Sequence, residues 1–251
     1  MRKKLWICSL FVGALALPVP ANALSIDFLR QGFKTSISEN ERISVVPGDQ
    51  LVYPYKAAQL QSLGYGEISV PLLRNNGGGL QAISLLNNGR YQIKVRTLTN
   101  PVSFLDFRAF NGASAIVVTG TEISFSRSEA QTIIAMVSGS GQFKAEGFAP
   151  INIKENQGAV ATDGQKPIVF EGFDKDLKIS NLRLSRVGSF RIVKGCVAIG
   201  NTVQIDGVFV PLKDGQCFRE RISKPEILVL NPEGRARKHR LQFQRFFGTG
   251  P

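Results

Sequence analysis

The sequence predicts an all-β, mostly antiparallel protein, arranged as a sandwich or as roll-like meanders with only short helical pieces. Short runs in which apolar and polar residues alternate recur along the chain, and this alternation is typical of strands with one buried face. Turn-forming clusters separate the runs, for example at residues 47–49, 87–89 and 206–207. Long amphipathic helix patterns are scarce.

The alternating runs define the predicted strands and leave little room for helix. Short helical pieces are predicted only over residues 55–63 and 126–130. The predicted strands cover residues 42–46, 50–55, 66–72, 80–86, 91–98, 115–118, 122–126, 132–137, 151–154, 168–170, 177–184, 189–199, 202–205 and 208–212.

The first 23 residues predict a cleaved secretory signal peptide. Cations at positions 2–4 precede an apolar run over residues 5–17, and an Ala-Asn-Ala motif suited to cleavage ends at residue 23. The apolar run is shorter than the roughly 20 residues of a transmembrane helix, and no later segment approaches that length. We therefore expect a secreted or periplasmic protein without a transmembrane segment.

The chain is strongly basic. Its formal charge is +12, and removal of the three leader cations lowers this to +9. A basic surface attracts polyanions. Outside the cytoplasm these are acidic polysaccharide, lipopolysaccharide or phospholipid headgroups, so nucleic acid is not an expected partner.

The cysteines predict a disulfide. Cys8 lies in the leader, so Cys196 and Cys217 remain as an even pair in an oxidising compartment. Two buried thiols or half of a metal site are the alternatives, but the only histidine, His239, lies in a basic segment. Residues 189–199, 202–205 and 208–212 are predicted to form a three-stranded meander, which the disulfide would staple with a stabilisation of about 3 kcal/mol.

The C-terminal residues 232–251 are predicted to form a basic aromatic tail that binds a ligand. Its cations would attract it to an anionic envelope surface, and its aromatic side chains would insert at the interface of that surface. The alternative is a solvated tail whose phenylalanines cover an apolar patch of the protein. The candidate ligand-binding residues are Arg235, Arg237, Lys238, Arg240 and Arg245 with Phe243, Phe246 and Phe247.

The sequence does not indicate catalysis, a metal or a cofactor. A Ser-His-Asp triad would have to use His239, the only histidine, which lies in the basic C-terminal segment and is therefore a poor candidate. A carboxylate pair from distant strands leaves no sequence signature, so a hydrolase stays open as an alternative, with Glu122, Glu146, Glu155 and Glu171 as its candidates. Tyr53 and Tyr55, two residues apart, would form a stacking platform or pack a sheet.

Turn glycines and apolar strand residues form a characteristic pattern in residues 113–167. The positions that carry it are Gly120, Thr121, Glu122, Ile123, Gly139, Phe143, Ile151, Ile153 and Gln157. In this pattern residues 113–167 resemble the FecR-type periplasmic domain, and the segment 45–51, with sequence VVPGDQL, is similar to the Gly-Asp step at the start of that domain. The resemblance implies a stand-alone, extracytoplasmic β domain that binds or scaffolds, and the matched positions are structural ones.

These observations predict four segments and one main function. The segments are the signal peptide (1–23), a FecR-like β domain (24–188), a disulfide-stapled meander (189–231) and the tail (232–251). We expect a binding or structural envelope protein that engages acidic polysaccharide, lipopolysaccharide or an envelope protein partner. The alternatives are a carbohydrate-active hydrolase and a sensor subunit that relays to a membrane partner.

Residues 136–160 and 192–217 share an approximate sequence pattern, which is either an internal repeat or a chance similarity.

Overall fold

A computed structural model describes residues 24–109, 112–117, 120–128, 131–172, 176–212 and 216–242. The predicted signal peptide lies outside them. A turn of 3-10 helix covers Pro54–Lys56. In chain order the strands are β1 (Ile26–Arg30), β2 (Phe33–Ile37), β3 (Arg42–Val45), β4 (Gln50–Val52), β5 (Ala58–Ser62), β6 (Gly66–Asn76), β7 (Gly79–Asn87), β8 (Gly89–Val95), β9 (Phe104–Arg108), β10 (Ser114–Val117), β11 (Thr121–Arg127), β12 (Gln131–Ser138), β13 (Ser140–Lys144), β14 (Ile151–Lys154), β15 (Gln157–Thr162), β16 (Ile168–Glu171), β17 (Ser180–Val187), β18 (Phe190–Cys196), β19 (Thr202–Ile205), β20 (Val208–Phe209), β21 (Cys217–Arg221), β22 (Glu226–Leu230) and β23 (Ala236–Arg240).

The strands form four sheets, which confirms the all-β prediction. The large sheets have the orders β16-β15-β12-β11-β8-β5-β4-β1-β2 and β14-β13-β10-β9-β7-β6-β3. The small sheets have the orders β17-β18-β21 and β20-β19-β22-β23. Within the described chain every strand pair is antiparallel except β7 with β9.

The two large sheets enclose the first core. Alternate residues of each strand point inward, as Leu60 and Ile93 do from the nine-stranded sheet and Phe107 and Phe143 do from the seven-stranded sheet. Tyr53 crosses between the sheets. Its ring lies edge-on to Phe107, and its hydroxyl hydrogen bonds to the Ser84 hydroxyl at 2.6 Å.

Strand β12 belongs to two cores. Ile134 and Met136 point into the first core. Ile133 and Ala135 point the other way, into a second core that also contains Val160 and residues of both small sheets. Burial of both faces explains why the sequence of β12 is a continuous apolar run instead of an alternating one.

The two small sheets form a lobe on the outer face of the nine-stranded sheet. Val193 and Phe218 of the three-stranded sheet pack with Val203 and Val229 of the four-stranded sheet in the second core. The predicted boundary at residue 188 falls in the turn between β17 and β18, which pair with each other.

The lobe repeats part of the topology of the large sandwich. Strand β12 pairs with β11 and β15, and the β13–β14 hairpin between β12 and β15 lies in the opposing sheet. Strand β18 pairs with β17 and β21 in the same way, and the β19–β20 hairpin between β18 and β21 lies in the other small sheet. The two segments with a shared sequence pattern therefore also share an order of strand pairing.

Of the first predicted helix, only residues 55–56 lie in the 3-10 turn, and the second is not helical where the structure describes it. Residues 58–62 form β5, because buried Ala58, Leu60 and Ser62 alternate with exposed glutamines in a period of two. Tyr53 is buried while Tyr55 is exposed in the 3-10 turn, so the two tyrosines do not share a strand face. In the second predicted helix, residues 126–127 end strand β11.

The three-stranded meander is also wrong in its first pairing. Strand β18 pairs with β17 and β21, whereas β19 lies in the other small sheet. Gly200 makes this change of sheet possible, because it has a φ of 85° and packs against the Phe170 ring where a Cβ atom would clash. The second pairing is confirmed: β19 and β20 form a hairpin with Asp206-Gly207 at its turn.

Several residues of the FecR-type resemblance make contacts that position the strands of the sandwich. The Asp49 carboxylate accepts hydrogen bonds from the Arg30 guanidinium, the shortest at 2.6 Å, and from the Val46 backbone N–H at 2.8 Å. Gly139 lies against the Gly120 carbonyl and Thr121, where a side chain would not fit. Asp49 and Gly139 therefore have structural roles.

We expect the free energy of unfolding to fall above about pH 10, in part because of Tyr53. Burial raises the pKa of Tyr53 above the ordinary value of 10.0. An unfolded chain therefore releases this proton while the folded chain keeps it, which disfavours folding by about 1.4 kcal/mol per pH unit.

The variant Tyr53→Phe tests this prediction. This variant lacks the hydrogen bond to Ser84, so at about pH 8 its free energy of unfolding should be roughly 1 kcal/mol lower than that of the natural protein. Its stability should approach that of the natural protein near pH 11, as measured by urea unfolding at both pH values. Tyr55→Phe, at an exposed position, is the control. A constant stability difference between Tyr53→Phe and the natural protein would contradict the prediction.

Candidate functional site: a basic sheet

The strands β17, β18 and β21 form the most basic of the four sheets in the described chain, and we call it the basic sheet. Its strands contain a single acidic residue, Glu220. The cations of its strands are Arg183, Arg186, Arg191, Lys194, Arg219 and Arg221.

Three of these cations form a row across the outer face. Arg183 lies directly opposite Lys194, and Lys194 lies directly opposite Arg219. Directly paired residues point to the same side of a sheet. The neighbouring row, formed by Leu184, Val193 and Glu220, points to the opposite side, where Val193 is buried in the second core. Glu220 is therefore not on the face of the three cations.

The row concentrates positive charge without an internal counterion. All three side chains are exposed, and no carboxylate of the described residues forms an ion pair with them. Adjacent strands lie about 4.8 Å apart, so the three positions span roughly 10 Å. Like charges directly opposite each other disfavour the sheet. An anion on this face would remove that repulsion.

The next row adds an aromatic platform. Arg221 faces Ile192 on the same outer side, and its guanidinium carbon lies 4.0 Å from the centroid of the Phe190 ring. Phe190 is 49% exposed. Stacked arginine and aromatic groups offer both a charge and an apolar surface to a ligand.

The predicted disulfide is confirmed and closes one end of the basic sheet. Cys196 and Cys217 are bonded and lie directly opposite each other in β18 and β21. They share the outer face with Lys194 and Arg219, two residues away in each strand. The disulfide thereby fixes the register that brings these two cations together.

A cleft of about 530 Å³ borders the basic sheet where the nine-stranded sheet and both small sheets meet. Arg221 and Glu220 line it from β21, and exposed Tyr65 and half-buried Phe209 line it from the other sides. Its wall contains both apolar and charged side chains.

The predicted tail is a strand in the part that the structure describes. Ala236–Arg240 form β23, which pairs with β22. The hydrophobic residues Ile227 and Val229 of β22 are buried, so this segment is fixed to the lobe. Phe243, Arg245, Phe246 and Phe247 lie outside the described residues.

Each described cation of the predicted tail has a partner within the protein. Arg235 lies 3.5 Å from the Glu233 carboxylate. Lys238 and Arg240 lie 3.0 Å and 3.7 Å from that of Glu226. Arg237 donates a hydrogen bond to the Asp176 carbonyl at 2.8 Å. A ring nitrogen of His239 lies 2.8 Å from the Leu177 carbonyl. The tail cations are thus partly neutralised, unlike the row on the basic sheet.

The four candidate glutamates are dispersed over the large sheets. Glu122 accepts a hydrogen bond from Gln92, and Glu171 accepts one from Gln157. Glu155 is exposed in the turn after β14. Glu146 lines a cleft together with Asp163, whose carboxylate lies 3.5 Å from Arg127. Among the described residues no group of three or more metal-ligating side chains comes together.

Sequence reasoning missed the basic sheet because its cations are far apart along the chain. Arg183, Lys194 and Arg219 lie on three strands, and only the strand register brings them into one row. The clustered cations of residues 235–245 gave a stronger local signal. The alternation of Arg219 and Arg221 around Glu220 is the local sequence signal that indicates a strand with cations on one face.

Comparison with known proteins yields no family assignment. No family model matches the chain, and no curated protein matches it. Among solved structures it is similar to two crystal structures of a candidate anti-sigma factor from Parabacteroides distasonis ATCC 8503, at 1.65 Å and 2.50 Å resolution. The identities are 11% and 10%, and the TM-scores are 0.43 and 0.42. Each match covers 53% of this chain and 60% of the other, so the chain spans less than two thirds of those structures. The FecR-type resemblance stays a prediction.

We expect the variant Cys196→Ala/Cys217→Ala to be less stable by about 3 kcal/mol, because the disulfide closes a loop of about 20 residues in the unfolded chain. Urea unfolding followed by circular dichroism measures this loss. The natural protein under reducing conditions should unfold at the same urea concentration as the variant. Equal stability of the oxidised protein and the variant would show that the disulfide does not support the sheet.

Proposed function

We propose that the protein is an extracytoplasmic binding or structural component of the cell envelope, and that it holds an acidic polysaccharide on the outer face of the basic sheet. The observation that carries the proposal is the row of Arg183, Lys194 and Arg219, which is exposed. Among the residues of the three described strands, no carboxylate lies on the same face. A polymer with regularly spaced carboxylates can contact several such cations at once, which raises its avidity.

The disulfide and the leader pattern support the proposed compartment. A disulfide persists in secreted and periplasmic proteins and is rare in the cytosol. Within the described residues, the structure contains no helix with the length and hydrophobicity needed to cross a bilayer. Both observations are compatible with the signal peptide that residues 1–23 predict.

The predicted tail is the second candidate for the anion site. Arg237, Lys238 and Arg240 are exposed on strand β23 of the same lobe, so they add to the positive field of the protein. Carboxylates already neutralise Arg235, Lys238 and Arg240 in part, which is why we place the main site on the basic sheet. A relay to a membrane partner and a carboxylate-pair hydrolase remain alternatives without a specific supporting observation.

Binding to polygalacturonate, a carboxylated polysaccharide, tests the proposal, with neutral dextran as the comparison. We expect binding to polygalacturonate that weakens as salt rises, since exposed charges are screened within about 8–10 Å at physiological ionic strength. The variant Arg183→Gln/Lys194→Gln/Arg219→Gln should bind about tenfold more weakly, because exposed ion pairs contribute roughly 0.2–1 kcal/mol each. Isothermal titration calorimetry measures both affinities.

A matched control separates the two candidate sites. The variant Arg235→Gln/Lys238→Gln/Arg240→Gln removes the same number of positive charges from β23 and the residue before it, and we expect it to keep most of the affinity. A large loss in this variant, with none in the basic-sheet variant, would move the site to the predicted tail. Equal losses in both would indicate a response to net charge alone, and equal binding of dextran would refute anion recognition.

A further inference from the structure

Strand β17 is an exposed edge of the basic sheet. It pairs with β18 on one side, and no strand of the described chain pairs with its other side. All eight of its residues are exposed. An edge of this kind presents backbone N–H and C=O groups with which a further strand can form hydrogen bonds.

The nine-stranded sheet contains a strand for which the basic sheet has no counterpart in the described chain. Strands β11, β12 and β15 follow the same pairing plan as β17, β18 and β21. In the larger copy β11 has an antiparallel neighbour, β8, on the side away from β12. Strand β17 takes the place of β11 and has no such neighbour in the described chain. The plan thus has room for one more antiparallel strand.

The side chains of β17 select the kind of strand that would fit. Charged edge residues ordinarily prevent pairing between copies, and Arg183 and Arg186 would repel the same residues of a second β17. Exposed Leu182, Leu184 and Val187 do not protect an edge, because apolar side chains favour pairing. An acidic strand would turn the repulsion into attraction and cover the apolar residues.

We propose that β17 accepts an additional antiparallel strand from a protein partner, and that this strand is an extended acidic segment. Along residues 183–187 the order is cation, apolar, polar, cation, apolar. The complementary strand therefore reads apolar, acid, polar, apolar, acid. Recognition uses the backbone edge, so the inference does not depend on polysaccharide binding to the outer face.

The test uses the full mature chain and a fluorescein-labelled peptide with the core Val-Glu-Thr-Val-Glu. Successive N–H groups of a strand point to opposite edges. Two further peptides therefore carry N-methyl groups on one edge or on the other. Strand addition predicts that one N-methylated peptide binds like the parent peptide and that the other loses binding by at least about tenfold. Fluorescence anisotropy measures the three affinities.

Charge reversal on the exposed strand provides the control on the protein. The variant Arg183→Glu/Arg186→Glu should bind the parent peptide about tenfold more weakly. It should regain affinity for a peptide in which lysine replaces glutamate. Because both positions are exposed, the variant is expected to fold, and circular dichroism checks this.

The alternative occupants give different results. Equal binding of both N-methylated peptides would overturn strand addition and leave anion attraction by the basic sheet. A dimer in light scattering that dissociates in the Arg183→Glu/Arg186→Glu variant would make a second copy the occupant and would overturn the acidic partner. If only one of the two N-methylated peptides loses binding and the protein does not bind polygalacturonate, the inference is supported and the proposed function is refuted.

Discussion

The structure depends on strand β12 being buried on both faces. Its alternate residues serve the sandwich between the large sheets on one side and the core of the small lobe on the other. A large apolar side chain contributes about 1.5–3 kcal/mol on full burial, so Ile133 and Ile134 stabilise two different parts of the chain from one strand. The small lobe, and with it the basic sheet, is therefore positioned by the same element that closes the sandwich.

A buried arginine marks the junction between the lobe and the sandwich. Arg90 of β8 is 1% exposed and donates a hydrogen bond to the Asn231 carbonyl at the end of β22. Burial lowers its pKa to about 10, so the guanidinium stays charged at neutral pH. A buried charge is costly unless its groups are hydrogen bonded, which makes this contact sensitive to the placement of the lobe.

The sequence predicts the class of fold and the disulfide, but not the route of the chain. Alternation and turn residues identify strands such as β14 and β19, because each strand has its own local period. Strand β5 was mistaken for helix because its glutamines favour helix, and packing against the sandwich overrode that preference. The basic sheet could not be found from local patterns, since its row of charges arises from pairing across residues 183–219.

The position of the disulfide also bears on how the lobe forms. The bond joins β18 to β21 around the β19–β20 hairpin, which lies in a different sheet. In an oxidised but unfolded chain, the two strands are already held at their native pair of residues. Ordering the basic sheet then requires only local zipping on either side of the bond, without the closure entropy of a long loop. Oxidation therefore turns a pairing between strands that are distant along the chain into a local one.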